Sequence, residues 1–186
     1  MSLERLDYDQ VAMEFSIELG KEVLCNTPNV LLAMLPQLSE DWTLANEGPG
    51  TWSPYQVVGH LTHIEEVDWI DRTRLILEHG TNKTFEPVDR EAGFVRFQGW
   101  TLGQLLDRFA SLRASNLDTL EGLAAVGDLQ RRGVHPKFGE VTVSQLLATW
   151  VVHDLSHLDQ IVKTMAKQYT DAVGPWRELM PIIDAP

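Results

Sequence analysis

The sequence contains one cysteine, Cys25, so it can form no intrachain disulfide and has no Cys-x-x-Cys pair of the kind that holds structural zinc. This scarcity fits a reducing cytoplasm, and Cys25 itself is expected to be a small buried apolar residue. Basic residues are also few. Fifteen Lys and Arg stand against 27 Asp and Glu, a formal charge of −12. Nucleic-acid binding needs a concentrated basic surface that this balance does not supply, and the same deficit disfavours anionic membranes. Long hydrophobic runs are missing too: nothing approaches the roughly 18 apolar residues of a membrane span. The opening Met1-Ser2-Leu3-Glu4-Arg5 lacks the charged-then-apolar pattern of a signal peptide. Nucleic acid and membranes are therefore not expected as partners.

What is present suits a globular fold. The 186 residues are 44% hydrophobic and 23% charged, which is enough to bury one sizeable core, and residues 1–186 are read as one domain. Breakers divide the chain into long periodic segments. Thr27 to Leu38, with Pro28 at the first helical position, predicts a first helix, while Phe15 to Leu24 fits strand or helix equally. After the loop at Asn46–Gly50, Ser53-Pro54 opens a helix expected to reach about Glu78. A loop follows through Gly99, long enough to allow a crossover. Leu102 to about Leu123, capped by Thr101, makes another helix, and Arg132–Thr142 reads as a turn or short hairpin. The last long helix spans about Val143 to Tyr169, starting near Ser144 and Gln145. A tail with Trp176, Leu179 and Met180 is expected to pack on the bundle. Four long helices can bury their apolar faces only against each other, so the fold class is all-α, a four-helix bundle.

The chemistry concentrates in histidine. His153 and His157 stand at i and i+4, so on a helix they project within roughly 40° of each other, one turn apart. Both lie on the shoulder of the apolar arc formed by Leu146, Leu147, Trp150 and Ile161. Such a pair can grip one ion at the mouth of a bundle, where substrate can still enter. A third ligand must come from another helix. His60 shares an apolar shoulder with Val57 and Ile64, whereas His63 turns about 60° further toward the polar side, which favours His60. Gly59 beside it would allow a close approach. Spacing alone leaves ordinary hydrogen-bonded histidines open as well. Asp154 replaces the glutamate of the zinc-protease His-Glu-x-x-His motif and points into the apolar arc, where a structural role is preferred.

Trp52-Ser53-Pro54, Val57-Val58-Gly59-His60-Leu61 with Glu65, and later Leu146-Leu147-Ala148-Thr149-Trp150 leading to His153, His157 and Gln160-Ile161 form a recognisable set. Together they resemble the DinB-like (YfiT-type) family of metal-dependent enzymes, over about Asn46 to Gln168. The resemblance implies an up-down-down-up four-helix bundle, often dimeric. It also implies a three-histidine site for a divalent ion such as zinc or nickel, at His60, His153 and His157. It further implies thiol-dependent transfer or isomerisation with a low-molecular-weight thiol. Transfer to a small electrophile is therefore the expected function; a metal-dependent hydrolase and a non-catalytic, stress-related or ligand-binding metalloprotein are the alternatives.

Other residues invite roles. Glu65 and Asp68 lean toward the core and could serve as a fourth ligand or a base, although Asp68 and Arg72 also form an i, i+4 ion pair. Trp52, Trp69, Trp100 and Trp150 are expected as core or pocket wall, and His79 and His135 as solvent-facing or capping residues.

Overall fold

The computed structural model describes residues 13–185; the N-terminal pentapeptide discussed above lies outside the described residues. The first helix, α1 (Ile17–Met34), is capped by Ser16, whose hydroxyl accepts from the Leu19 amide. It resolves one open reading and corrects another expectation. Phe15–Leu24 resolves to helix from Ile17 onward, and Pro28 lies inside α1 instead of starting it. A proline there removes the bond that would reach the Leu24 carbonyl. Arg113 supplies a replacement, donating from Nη1 to the Leu24 oxygen at 2.7 Å.

A short α2 (Glu40–Thr43) precedes the second long segment. That segment begins at Ser53-Pro54 as expected, with reciprocal capping bonds between Ser53 and Gln56. It is split at Asp68 into α3 (Pro54–Val67) and α4 (Trp69–His79). The connection to Gly99 holds α5 (Ala92–Arg96), too short to show a sequence period. Next come α6 (Leu102–Val126), the hairpin β1 (Arg132–His135) and β2 (Gly139–Thr142), α7 (Val143–Lys167) and a final turn, α8 (Pro181–Asp184). The helix α7 is capped by Thr142, two residues before the expected Ser144, with Gln145 closing the box.

Side-chain partners fix the directions. Lys21 pairs with Glu121 and Leu24 meets Arg113, so α1 and α6 run antiparallel. Tyr55 bonds to the carbonyls of Phe97 and Trp100, while Glu65 meets Arg113 and Asn116, so α3–α4 and α6 run parallel. His60 lies by His157 and Glu65 by Trp150, so α7 opposes α3. The result is an up-down-down-up four-helix bundle, and the crossover from α4 to α6 is what its parallel pair requires.

Two apolar groups fill the bundle, one around Trp69, Trp150 and Leu147, the other around Leu31, Leu61 and Phe109. The hairpin docks on α4 through Gly133, where a β-carbon would lie 2.5 Å from Ile76 Cγ1. It also tethers the crossover, since Phe85 donates its amide to the Val134 carbonyl. Cys25 is exposed on α1, against expectation, because the long α1 turns that position outward. The tail is anchored by Ile183, while Trp176, Leu179 and Met180 stay largely exposed.

Candidate metal centre

The buried face of α3 presents His60, and one face of α7 presents His153 and His157 at the same level of the bundle. His153 Nε2 lies 3.1 Å from His60 Nε2 and 3.2 Å from His157 Nε2. One ring nitrogen from each residue falls within 4.8 Å of the others. Two nitrogens bound tetrahedrally at about 2.0–2.1 Å would be separated by about 3.3 Å, so the spacing suits a common ion.

The tautomers can be argued from partners. His60 Nδ1 is 2.9 Å from the Arg90 carbonyl oxygen, which only accepts, so Nδ1 carries the proton and Nε2 turns a lone pair inward. His157 Nδ1 is 2.8 Å from Gln160 Oε1, the same arrangement through a side chain. His153 Nδ1 has no partner among the described residues. Burial pushes the His60 pKa down to about 4 and the His153 pKa down to about 2, with neighbouring imidazoles and the Arg90 charge adding to it. His157 is lowered for the same first cause, burial. All three rings are therefore neutral at pH 7, as ligands must be.

Trp52 forms a wall beside the cluster, with its ring 4.9 Å from that of His60 and stacked at 6.2 Å on His157. The Arg90 guanidinium lies over the Trp52 ring, 5.4 Å from its centre. An open cavity of about 820 Å³ reaches His60 and His153 and is walled chiefly by Trp69, Phe85, Val88, Leu146 and the hairpin. A second, polar cavity of about 480 Å³ lies beyond Trp52, lined by Gln160, Thr164 and Lys167 among others; Arg90 borders both.

Of the other residues singled out from sequence, Glu65 and Asp154 belong to a buried ion cluster. Arg113, only 1% exposed, donates to Asp154 at 2.6 and 3.0 Å and to Glu65 at 2.8 Å. Trp150 and Asn116 complete the Glu65 carboxylate. Burial raises the Glu65 pKa, opposed by the Arg113 charge. At Arg113 burial acts to lower the pKa, and the two carboxylates more than reverse it. Sequence reading overlooked Arg113 because an arginine between helix-surface residues reads as solvated; the acids at Glu65 and Asp154 on apolar arcs were the available signal. Asp68 pairs with Arg72 at 2.7 Å and also lines the larger cavity, with its pKa raised to about 6 by burial.

His63 is not brought to the site. It is buried, not turned to solvent, because α5 covers that side of α3: a β-carbon on Gly93 would lie 2.8 Å from the Gly59 carbonyl oxygen and 3.0 Å from His63 Cβ. The expected close approach at Gly59 is thus made by Gly93. Trp69 and Trp150 are stacked in the core, while Trp100 is exposed, contrary to expectation. His135 accepts the Lys137 and Phe138 amides at the hairpin turn, and exposed His79 ends α4.

The sequence matches the DinB superfamily over residues 24–161, a span that holds all three histidines. This chain is a member of the DinB superfamily. YfiT from Bacillus subtilis, described as a probable metal-dependent hydrolase with an unusual four-helix bundle topology, is similar in structure. Its TM-score is 0.69 at 20% identity, covering 90% of this chain and 93% of YfiT. A four-helix bundle protein, TT2238, is similar at a TM-score of 0.49 and 21% identity, covering 79% of this chain and 98% of that one. No curated protein matches the sequence. The DinB fold read from the paired motifs is therefore the fold observed, and no helix among the described residues is long and apolar enough to cross a membrane.

Proposed function

We propose that this DinB protein is a metal-dependent enzyme in which His60, His153 and His157 hold a divalent ion, zinc or nickel, and that it transfers a low-molecular-weight thiol to a small electrophile. The observation that carries the reading is the convergence of three neutral imidazoles, two of which border an open cavity. Held by these three histidines, a divalent ion would supply Lewis-acid chemistry, lowering the pKa of a nearby thiol or water.

The chain's own residues do the remaining work. The Arg90 carbonyl and Gln160 keep the His60 and His157 rings in the tautomer that directs Nε2 inward. Trp52 closes one side of the cluster to water. Asp68 has a carboxyl poised near pH 6 and can take a proton at Oδ2 while Oδ1 stays paired with Arg72. Transfer requires room for two reactants, and the polar and apolar cavities meeting at Arg90 favour it. Hydrolysis is the second reading, favoured by the likeness to YfiT.

The test begins with elemental analysis of protein dialysed without chelator, beside a folded His153→Ala/His157→Ala variant. About one equivalent of zinc or nickel in the wild type and almost none in the variant is expected. The loaded protein is then assayed with 1-chloro-2,4-dinitrobenzene and glutathione, and with p-nitrophenyl acetate alone. Thiol-dependent turnover supports transfer, ester cleavage without thiol supports hydrolysis, and metal bound without either supports a ligand-binding or stress-related role. Failure to retain either metal after reloading rules the metalloenzyme reading out.

A further inference from the structure

Two of the cations lining the apolar cavity have no carboxylate partner among the described residues. Among the described residues, Arg90 has no carboxylate partner; its guanidinium rests on Trp52, beside His60 and His157. Lys137, at the hairpin turn, likewise has no carboxylate partner among the described residues, and its ammonium lies 5.4 Å from the Phe138 ring centre. Arg72, by contrast, is neutralised by Asp68. Thus Arg90, beside the histidine cluster, and Lys137, on the hairpin, both line the cavity, in a protein whose formal charge is −12.

Much of the remaining lining is an apolar wall of Trp69, Phe85, Val88, Val141 and Leu146, beside the polar Gln145 and Thr149 and the Asp68–Arg72 pair. At about 820 Å³ the space exceeds what water or a simple thiol occupies and falls in the range of small-molecule pockets. An apolar body gains from burial against this wall, and a planar anionic group matches the fork of an arginine.

We propose that the cavity takes a small organic carboxylate with an aromatic or aliphatic body, its carboxylate received by Arg90 next to the histidine cluster and its body laid against Trp69, Phe85 and Leu146. The proposal rests on the metal reading of the three histidines, since it names the substrate class of that site. Arg90 contributes twice: its backbone carbonyl holds His60, and its side chain selects the anion. Substitution of the side chain separates the two.

Zinc-loaded protein would be titrated calorimetrically with 3-phenylpropionate, 3-phenylpropan-1-ol and propionate, and the series repeated with Arg90→Gln and Arg90→Lys. In the wild type, 3-phenylpropionate binds about tenfold more tightly than the alcohol or the short acid, the scale of one charge-assisted contact. Arg90→Gln abolishes the preference for acid over alcohol without changing alcohol binding, and Arg90→Lys keeps part of it. Equal affinity for acid and alcohol, no binding of either, or an acid preference that survives Arg90→Gln overturns the proposal. Zinc content measured on the same samples separates the two failures. Protein without zinc refutes the metal reading, and protein with full zinc but no Arg90-dependent preference refutes this one.

Discussion

Arg113 donates a hydrogen bond to the carbonyl of Leu24, the group left without its helical partner by Pro28. The same guanidinium binds Asp154, between the two histidines of α7, and Glu65, one turn beyond His60 on α3. One buried side chain therefore ties α1, α3 and α7 to α6 directly behind the histidine cluster.

Removing that cation should be costly. Arg113→Met leaves two buried carboxylates and a carbonyl without their donor, and a loss of about 3–5 kcal/mol is expected in urea unfolding. Replacing the cluster as a whole, Arg113→Met with Glu65→Leu and Asp154→Leu, should recover most of the loss. A single variant as stable as the wild type would contradict the arrangement.

Gln160 orients His157, one of the three proposed metal ligands. Gln160→Leu should lower zinc affinity by about 10–100-fold while the unfolding midpoint of the metal-free protein stays nearly unchanged. Competition with a chromophoric chelator reads the affinity.

Metal-free protein should lose stability in acid through its histidines. An unfolded histidine protonates near the ordinary value of 6.5, whereas folded His60 resists protonation down to about 4. Between these values the unfolded chain binds more protons, so the contribution is fully present above 6.5 and is lost as pH falls toward 4. For His60 alone the loss is on the order of 3 kcal/mol. Asp68, raised to about 6, acts oppositely: its contribution is present below 3.8 and disappears as pH rises through 6. Subtracting the profile of a variant with glutamine at positions 60, 153 and 157 isolates the histidine part, which should slope downward toward acid.

Gly93 sets how close the crossover lies to α3. Gly93→Ala drives a β-carbon into the Gly59 carbonyl oxygen, and a cost of about 1–3 kcal/mol is expected. Because the Arg90 carbonyl that orients His60 is three residues upstream, zinc affinity should fall too. Thermal melts with and without zinc would show both effects.

Much of this was legible because periodicity and capping are local. The caps at Ser53 and Thr101 and the i, i+4 histidine pair are written in nearby residues and needed no knowledge of the rest of the chain. So was the hairpin, whose turn lies between His135 and Gly139. Pro28 misled because its usual place at a helix start is a local rule. The bond that lets it sit inside α1 comes from Arg113, 85 positions away.

The sequence by itself determined the bundle class and the residues able to bind metal, since both follow from the order of apolar and polar side chains along each helix. Helical periodicity already favoured His60 over His63; tertiary structure decided that His63 is buried beneath α5 and not turned to solvent. It alone buried Arg113 between Glu65 and Asp154 and set Arg90 between two cavities. Those are encounters between side chains remote in sequence, and only the packing of helices brings their charges within reach of one another.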